Sequence, residues 1–237
     1  MMVSKGIEDI DFVIPKDACD TGKDIPTFNV YLTVVVKDSE GRVIKIHRQR
    51  SHSPTANFIA LMLPISYFVA TGKSVTVTNI QNGSNSFSYN CSPPSSSACN
   101  GISYPNTAHN FGSYISMIQV GKGSQSNPSS AVTLASPIAN GSGTGQLLYG
   151  AVSVSSNITV SGSSAYFTIS QTYNNESGGT ITITEVGVVT TIQQSCWDCN
   201  ASSNFGQLLV WYDVLSSAIS VPNGGTVTIY YTFTVNP

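Results

Sequence analysis

An all-β fold, an antiparallel β-sandwich or jelly roll with an N-terminal hairpin and one short helix, is predicted by three features of this 237-residue chain. Short apolar-alternating runs separated by Gly, Asn, Ser and Pro clusters recur from position 73 to the C-terminus, a pattern of sandwiches and barrels rather than of α/β folds. Helical periodicity is confined to one stretch around Phe58. Only 9% of the residues are charged, against about 25% in an ordinary soluble domain, so the surface must be built from Ser, Thr, Asn, Gln and Gly.

In chain order, Asn29 to Lys37 is rich in β-branched residues, Asp38-Ser39-Glu40-Gly41 supplies a turn, and Arg42 to Arg48 sets Val43, Lys45 and His47 against Ile44 and Ile46. This predicts a β-hairpin. Ser53-Pro54 reads as an N-cap followed by proline at the first helical position, with Phe58, Leu61, Met62 and Ile65 at helical spacing until Pro64 kinks or ends the helix. Further strands are expected at Ser74 to Ile80, Tyr114 to Val120, Leu147 to Val154, Ala165 to Tyr173, Thr180 to Thr191, Gln207 to Val214 and Thr226 to Val235. The last alternates best, with Val227, Ile229, Tyr231, Phe233 and Val235 on one face and Thr226, Thr228, Tyr230, Thr232 and Thr234 on the other. Two long loops, Asn90 to Asn110 and Gly121 to Gly145, are the expected places for contacts with other subunits or the environment.

Charge divides the chain. Eight of the ten Lys and Arg residues and eight of the twelve Asp and Glu residues lie within the first fifty positions. Residues 1–72 are therefore read as a docking and assembly segment with the hairpin and helix, and residues 73–237 as a low-charge β-sandwich. No basic residue follows Lys122, which excludes a basic nucleic-acid groove from that half. Lys45, His47, Arg48, Arg50 and His52 form the basic cluster, read as the solvated face of the hairpin rather than a nucleic-acid contact, and nucleic acid is not expected as a partner. The apolar run Phe58 to Ala70 is interrupted by Pro64 and falls short of the roughly 20 residues of a membrane helix, so no membrane span is expected.

Catalytic chemistry finds little support. His47, His52 and His109 are the only histidines, and no Gly-x-Ser-x-Gly elbow sits between a strand and a helix. The carboxylates Glu176, Glu185, Asp198 and Asp213 have no spacing that pairs them. Glu185, by alternation from Ile181 and Ile183, is expected on an inward face, accepting hydrogen bonds from a neighbouring loop or subunit. Cys196-Trp197-Asp198-Cys199 has zinc-like spacing, but Cys91 and Cys99 are too far apart to supply a second ligand pair. Loop disulfides Cys91–Cys99 and Cys196–Cys199 are the preferred reading, leaving Cys19 as a free thiol or an intermolecular bridge. No cofactor or metal is expected. Glycosylation sequons stand at Asn82, Asn90, Asn140, Asn157, Asn175 and Asn200.

Several segments carry a resemblance. The hairpin Asp38-Ser39-Glu40-Gly41-Arg42-Val43-Ile44, followed by Arg50-Ser51-His52-Ser53 and Asn57-Phe58, is similar to the opening of a loosely defined group of virion structural proteins of tailed phages and thermophile viruses. So are Ile118-Gln119-Val120-Gly121-Lys122-Gly123, a strand running into a Gly-x-Gly turn, and the runs Thr182 to Val188, Leu208 to Val214 and Val221 to Val227. The resemblance implies a capsid accessory, turret or tail protein on the outer surface of a virion. It would be a homo-oligomer, with other virion proteins as partners. The alternative reading is an extracellular filament or pilus subunit whose N-terminal segment, with Phe12, Val13 and Ile14, completes the sheet of the next copy. Arg48 and Arg50 are the further assembly candidates. A carbohydrate-binding module, suggested by Trp197, Trp211, Tyr212 and Tyr230, is a third class.

Overall fold

The structure, a computed structural model, describes residues 27–51, 53–59, 102–103, 118–155, 158–194 and 205–236. Among the described residues, ten antiparallel strands form two sheets. The larger sheet takes β1 (Thr27–Lys37), β2 (Val43–Ser51), β5 (Leu148–Val154), β6 (Thr159–Ser161), β7 (Ser164–Asn174) and β10 (Thr226–Asn236), in the order β2-β1-β10-β7-β5 with β6 beside β7. The smaller sheet takes β3 (Ile102–Ser103), β4 (Ile118–Gly121), β8 (Ile181–Gln194) and β9 (Phe205–Val221), with β8 pairing the other three. The all-β sandwich is the fold the sequence predicts. Among the described residues no helix is long and apolar enough to cross a membrane.

The core lies between the sheets. Val30, Leu32, Val34 and Val36 of β1, Val227, Ile229 and Tyr231 of β10, and Tyr173 of β7 meet Ile183, Val186, Leu208 and Ile219 of the smaller sheet in one buried cluster. β-branched residues at every second position present a continuous apolar face only when the strand is extended. The opposite face of the larger sheet is a hydroxyl lattice in which Thr168 pairs with Thr232 at 3.1 Å and Thr172 with Thr228 at 2.9 Å. Cross-strand pairs of this kind contribute a few tenths of a kcal/mol to about 1 kcal/mol each.

Four expectations are corrected. The hairpin is not a separate docking segment ending at residue 72, because β1 pairs with β10 along its whole length. The sandwich thus includes both ends of the described chain. The helix does not begin at Ser53-Pro54: Pro54 bridges Trp211 in extended conformation, Ser53 accepts a bond from the Tyr212 amide, and the helical turn spans 56–59, opened by the Thr55 carbonyl. The basic cluster is split by the pleat, with Lys45 and His47 facing β9 and Arg48 and Arg50 facing outward; His52 lies outside the described residues. The short strands β3 and β6 fall where loops are expected. Strand boundaries elsewhere match within a few residues, except that β9 continues seven residues past Val214. The expected strand 74–80 lies outside the described residues.

Candidate functional site

The polar side chains that could carry chemistry gather around the smaller sheet, and a bulge decides where they point. Ile183 pairs with Ile219 and Glu185 with Val214, so Leu215 to Ala218 stand opposite a single residue, Thr184. Across this mismatch the alternation within β8 shifts by one residue, since Ile183 and Val186, three apart, both face the core. Ile181 and Ile183 remain in the core between the sheets, as do Val186 and Val188, while Glu185 turns to the other face. The expectation that Glu185 shares the face of Ile181 and Ile183 is therefore corrected.

On that outer face Glu185 is fully buried beneath the segment that follows β4. Its Oε1 accepts from the amides of Gly123 at 3.0 Å and Ser136 at 2.7 Å, and its Oε2 from the amide of Ala135 at 2.9 Å and the Tyr212 hydroxyl at 2.7 Å. A carboxylate has about four lone-pair sites, and all four are taken. Tyr212 Oη accepts in turn from the Gln125 amide at 2.9 Å. Burial, reinforced by the bond to Glu185, raises the pKa of Tyr212 and keeps the phenol a donor. Backbone reaches the carboxylate because Gly121 and Gly123 carry no Cβ: one added at Gly121 would lie 2.7 Å from Glu185 Cγ, and one at Gly123 would lie 2.8 Å from Glu185 Oε1. Ala131, Leu134, Val189, Leu209 and Tyr212 form a second apolar cluster beside it. The loop Gly121 to Gly145 is thus tied to its own sandwich through the Ile138 amide on Val120 and through Glu185.

Between the sheets, Asp213 Oδ2 accepts from Ser51 Oγ at 2.6 Å and from Tyr231 Oη at 2.8 Å, and Trp211 Nε1 donates to Ser51 Oγ. Burial, together with the Asp213 charge, raises the pKa of Tyr231. The bulge itself is received by the inner face of β2. Gln49 donates to the Val214 carbonyl at 3.0 Å and accepts from the Ser216 amide at 2.9 Å, and Lys45 donates to the Ala218 carbonyl at 2.9 Å. These bonds satisfy backbone groups that the bulge removes from the ladder.

Asn175 joins the β7–β8 and β9–β10 corners. It is completely buried, its amide nitrogen donating to the carbonyls of Gly179 and Val221, each at 2.8 Å. With both amide hydrogens engaged, this sequon has no room for a glycan in the fold, which corrects its candidacy. Asn140 is exposed, its Oδ1 accepting from the Tyr149 amide at 2.9 Å. Asn82, Asn90, Asn157 and Asn200 lie outside the described residues, as do Cys91, Cys99, Cys196 and Cys199, Cys19, and the assembly candidates Phe12, Val13 and Ile14. Of the aromatics considered for sugar binding, Trp211 and Tyr212 are buried and Tyr230 is half-buried, while Trp197 is outside the described residues.

Both ends of the larger sheet are exposed: β5 and β6 at one, where Ile158 and Val160 are 67% and 71% exposed, and β2 at the other. On the outward face of β2 stand Ile44, Ile46, Arg48 and Arg50, with Ile46 59% exposed. Among the described residues no strand pairs with its far side. A nine-residue edge strand carrying apolar side chains is a template for pairing with another chain. The sequence marked Arg48 and Arg50 but not Ile44 and Ile46, because alternation alone does not tell which face of a hairpin is covered. No protein-family model, no curated protein and no solved structure matches this chain.

Proposed function

We propose that this chain is a non-enzymatic structural subunit that assembles with copies of itself and with other proteins at the outer surface of a virion. The observation that carries the non-enzymatic part is the Glu185 site. The most strongly buried carboxylate among the described residues is surrounded by donors on all four lone-pair positions, which leaves no position for a substrate atom or a transferred proton. Its chemistry is that of a loop anchor. The virion setting is supported by the sequence resemblance, and assembly by the exposed β2 edge.

The reading as a subunit of an extracellular filament is favoured by the same edge, since edge-to-edge addition propagates without closing unless the rotation between copies closes a ring. Electron microscopy of the assembled full-length protein separates the two. Rings, capsomers or shell fragments support the virion component, and open filaments with one repeating contact replace it with the filament subunit. A chain that stays monomeric at every concentration and salt condition rules out self-assembly in either form.

A further inference from the structure

We infer that the β2 edge is an assembly site for residues 7–13 of a second copy, which add to it as an antiparallel strand. The inference rests on the self-assembly reading and supplies its interface.

Charge and hydrophobicity point to this occupant. The hairpin, residues 27–51, carries five Lys and Arg against two acidic residues, and the segment 1–26 carries six acidic residues against three lysines. The match extends to single positions. With Ile10 opposite Ile46, antiparallel pairing sets Glu8 against Arg48, Asp9 against His47, Asp11 against Lys45, Phe12 against Ile44 and Val13 against Val43. Five of the six positions from Glu8 to Val13 meet their complement in charge or apolarity, and the sixth, Asp9, faces the imidazole of His47, so both faces of the strand are matched at once. Sliding the segment by two residues destroys this, placing Glu8 against Ile46 in one direction and Ile10 against Arg48 in the other. Register is specified in this way when both faces of a strand constrain it. Pairing would also cover Ile44 and Ile46, which are 52% and 59% exposed.

Geometry selects a second copy over the same chain. In this register Val13 lies beside Val43, next to Lys37, whereas Thr27 pairs with Asn236 at the opposite end of β1. The ten-residue offset along β1 amounts to about 33 Å at about 3.3 Å per residue, with two strand spacings of roughly 5 Å each to cross as well. Residues 14–26 span at most about 46 Å when fully stretched, so closure within one chain would hold them near three-quarters extension across a sheet face. A neighbouring copy offers its segment without that constraint.

Charge exchange tests the pairing in the full-length chain. Glu8→Arg and Arg48→Glu each turn an attractive cross-strand pair repulsive, and light scattering should show assembly weakened about tenfold in either variant. The double variant should restore it. An equimolar mixture of the two single variants should also assemble where neither does alone, because the basic segment of the Glu8→Arg copy meets the acidic edge of the Arg48→Glu copy. Rescue in the double variant but not in the mixture would show that the segment folds onto its own chain and would overturn the inference. Assembly unchanged in both single variants would also overturn it, while leaving the self-assembly reading standing. A wild-type chain that never assembles would remove both.

Discussion

Under the loop that follows β4, four donors converge on one carboxylate, and two glycines let the backbone close over it. Along β2 the larger sheet ends in a nine-residue strand with two exposed isoleucines and two outward arginines. The first region has satisfied its polar groups internally, and the second has no strand on its far side among the described residues. Buried polar groups must find partners within the molecule because the unpaired state is costly, whereas an edge can wait for a partner from outside. The region richest in apparently chemical residues is therefore satisfied within the fold, and the exposed groups of β2 are the ones on which the assembly proposal rests.

Removing the anchor should produce the largest effect. Glu185→Ala leaves three amides and the Tyr212 hydroxyl facing a void, and we expect a loss of roughly 3–5 kcal/mol in urea unfolding. Glu185→Gln keeps one acceptor oxygen and should lose less; equal losses in the two variants would mean that volume, not hydrogen bonding, holds the loop.

Titrating the buried tyrosines comes next. Burial pushes Tyr149 up to about 12 and raises Tyr173 and Tyr231 well above their ordinary value. A raised tyrosine pKa means that the unfolded chain releases its proton first. The associated stability is fully present below about pH 10 and is lost as pH rises through 10 towards the folded values, by on the order of 2 kcal/mol for a shift such as that of Tyr149. Unfolding midpoints that held steady between pH 9 and about 11 would contradict the hydroxyl bonds to Ile138, Ile118 and Asp213.

Gln49→Ala, on the inner face of β2, should cost about 1–2 kcal/mol by orphaning the Val214 carbonyl and the Ser216 amide. On the outer face of the same strand, Ile46→Thr and Arg50→Gln should change stability by less than about 0.5 kcal/mol. A loss above about 1 kcal/mol from either outer substitution, with the chain held monomeric, would show that the edge is already covered within one copy and would erase the contrast between the two faces.

Much of the architecture was legible because period-two alternation and turn residues are local signals. Thr226 to Val235 reads as a strand with one buried face, and the structure buries Val227, Ile229, Tyr231 and Phe233. The Asp38-Ser39-Glu40-Gly41 turn was legible for the same reason: Asp38 accepts from the amides of Glu40 and Arg42, and Gly41 adopts φ 80°. The Arg42 guanidinium beside Asp38 holds its carboxyl below the usual range. The bulge at Leu215 to Ala218 was not legible, since those four residues carry no proline or glycine and only their partner strand reveals that they are extra. The wrong face for Glu185 followed from the one-residue shift of phase within β8 between Ile183 and Val186, which no local residue type marks.

By itself, the sequence determined the fold class, most strands, the low-charge surface and the concentration of charge near the N-terminus, because each depends on residue type and short-range spacing. Only the tertiary structure decided that the Gly-x-Gly turn and Glu185, sixty-two residues apart between Gly123 and the carboxylate, are parts of one anchor. It also decided that Asn175 is a corner clamp rather than an exposed sequon. Both depend on which backbone groups lose their ladder partners when strands bulge or change sheets. That is set by the packing of distant segments, and no local pattern records it.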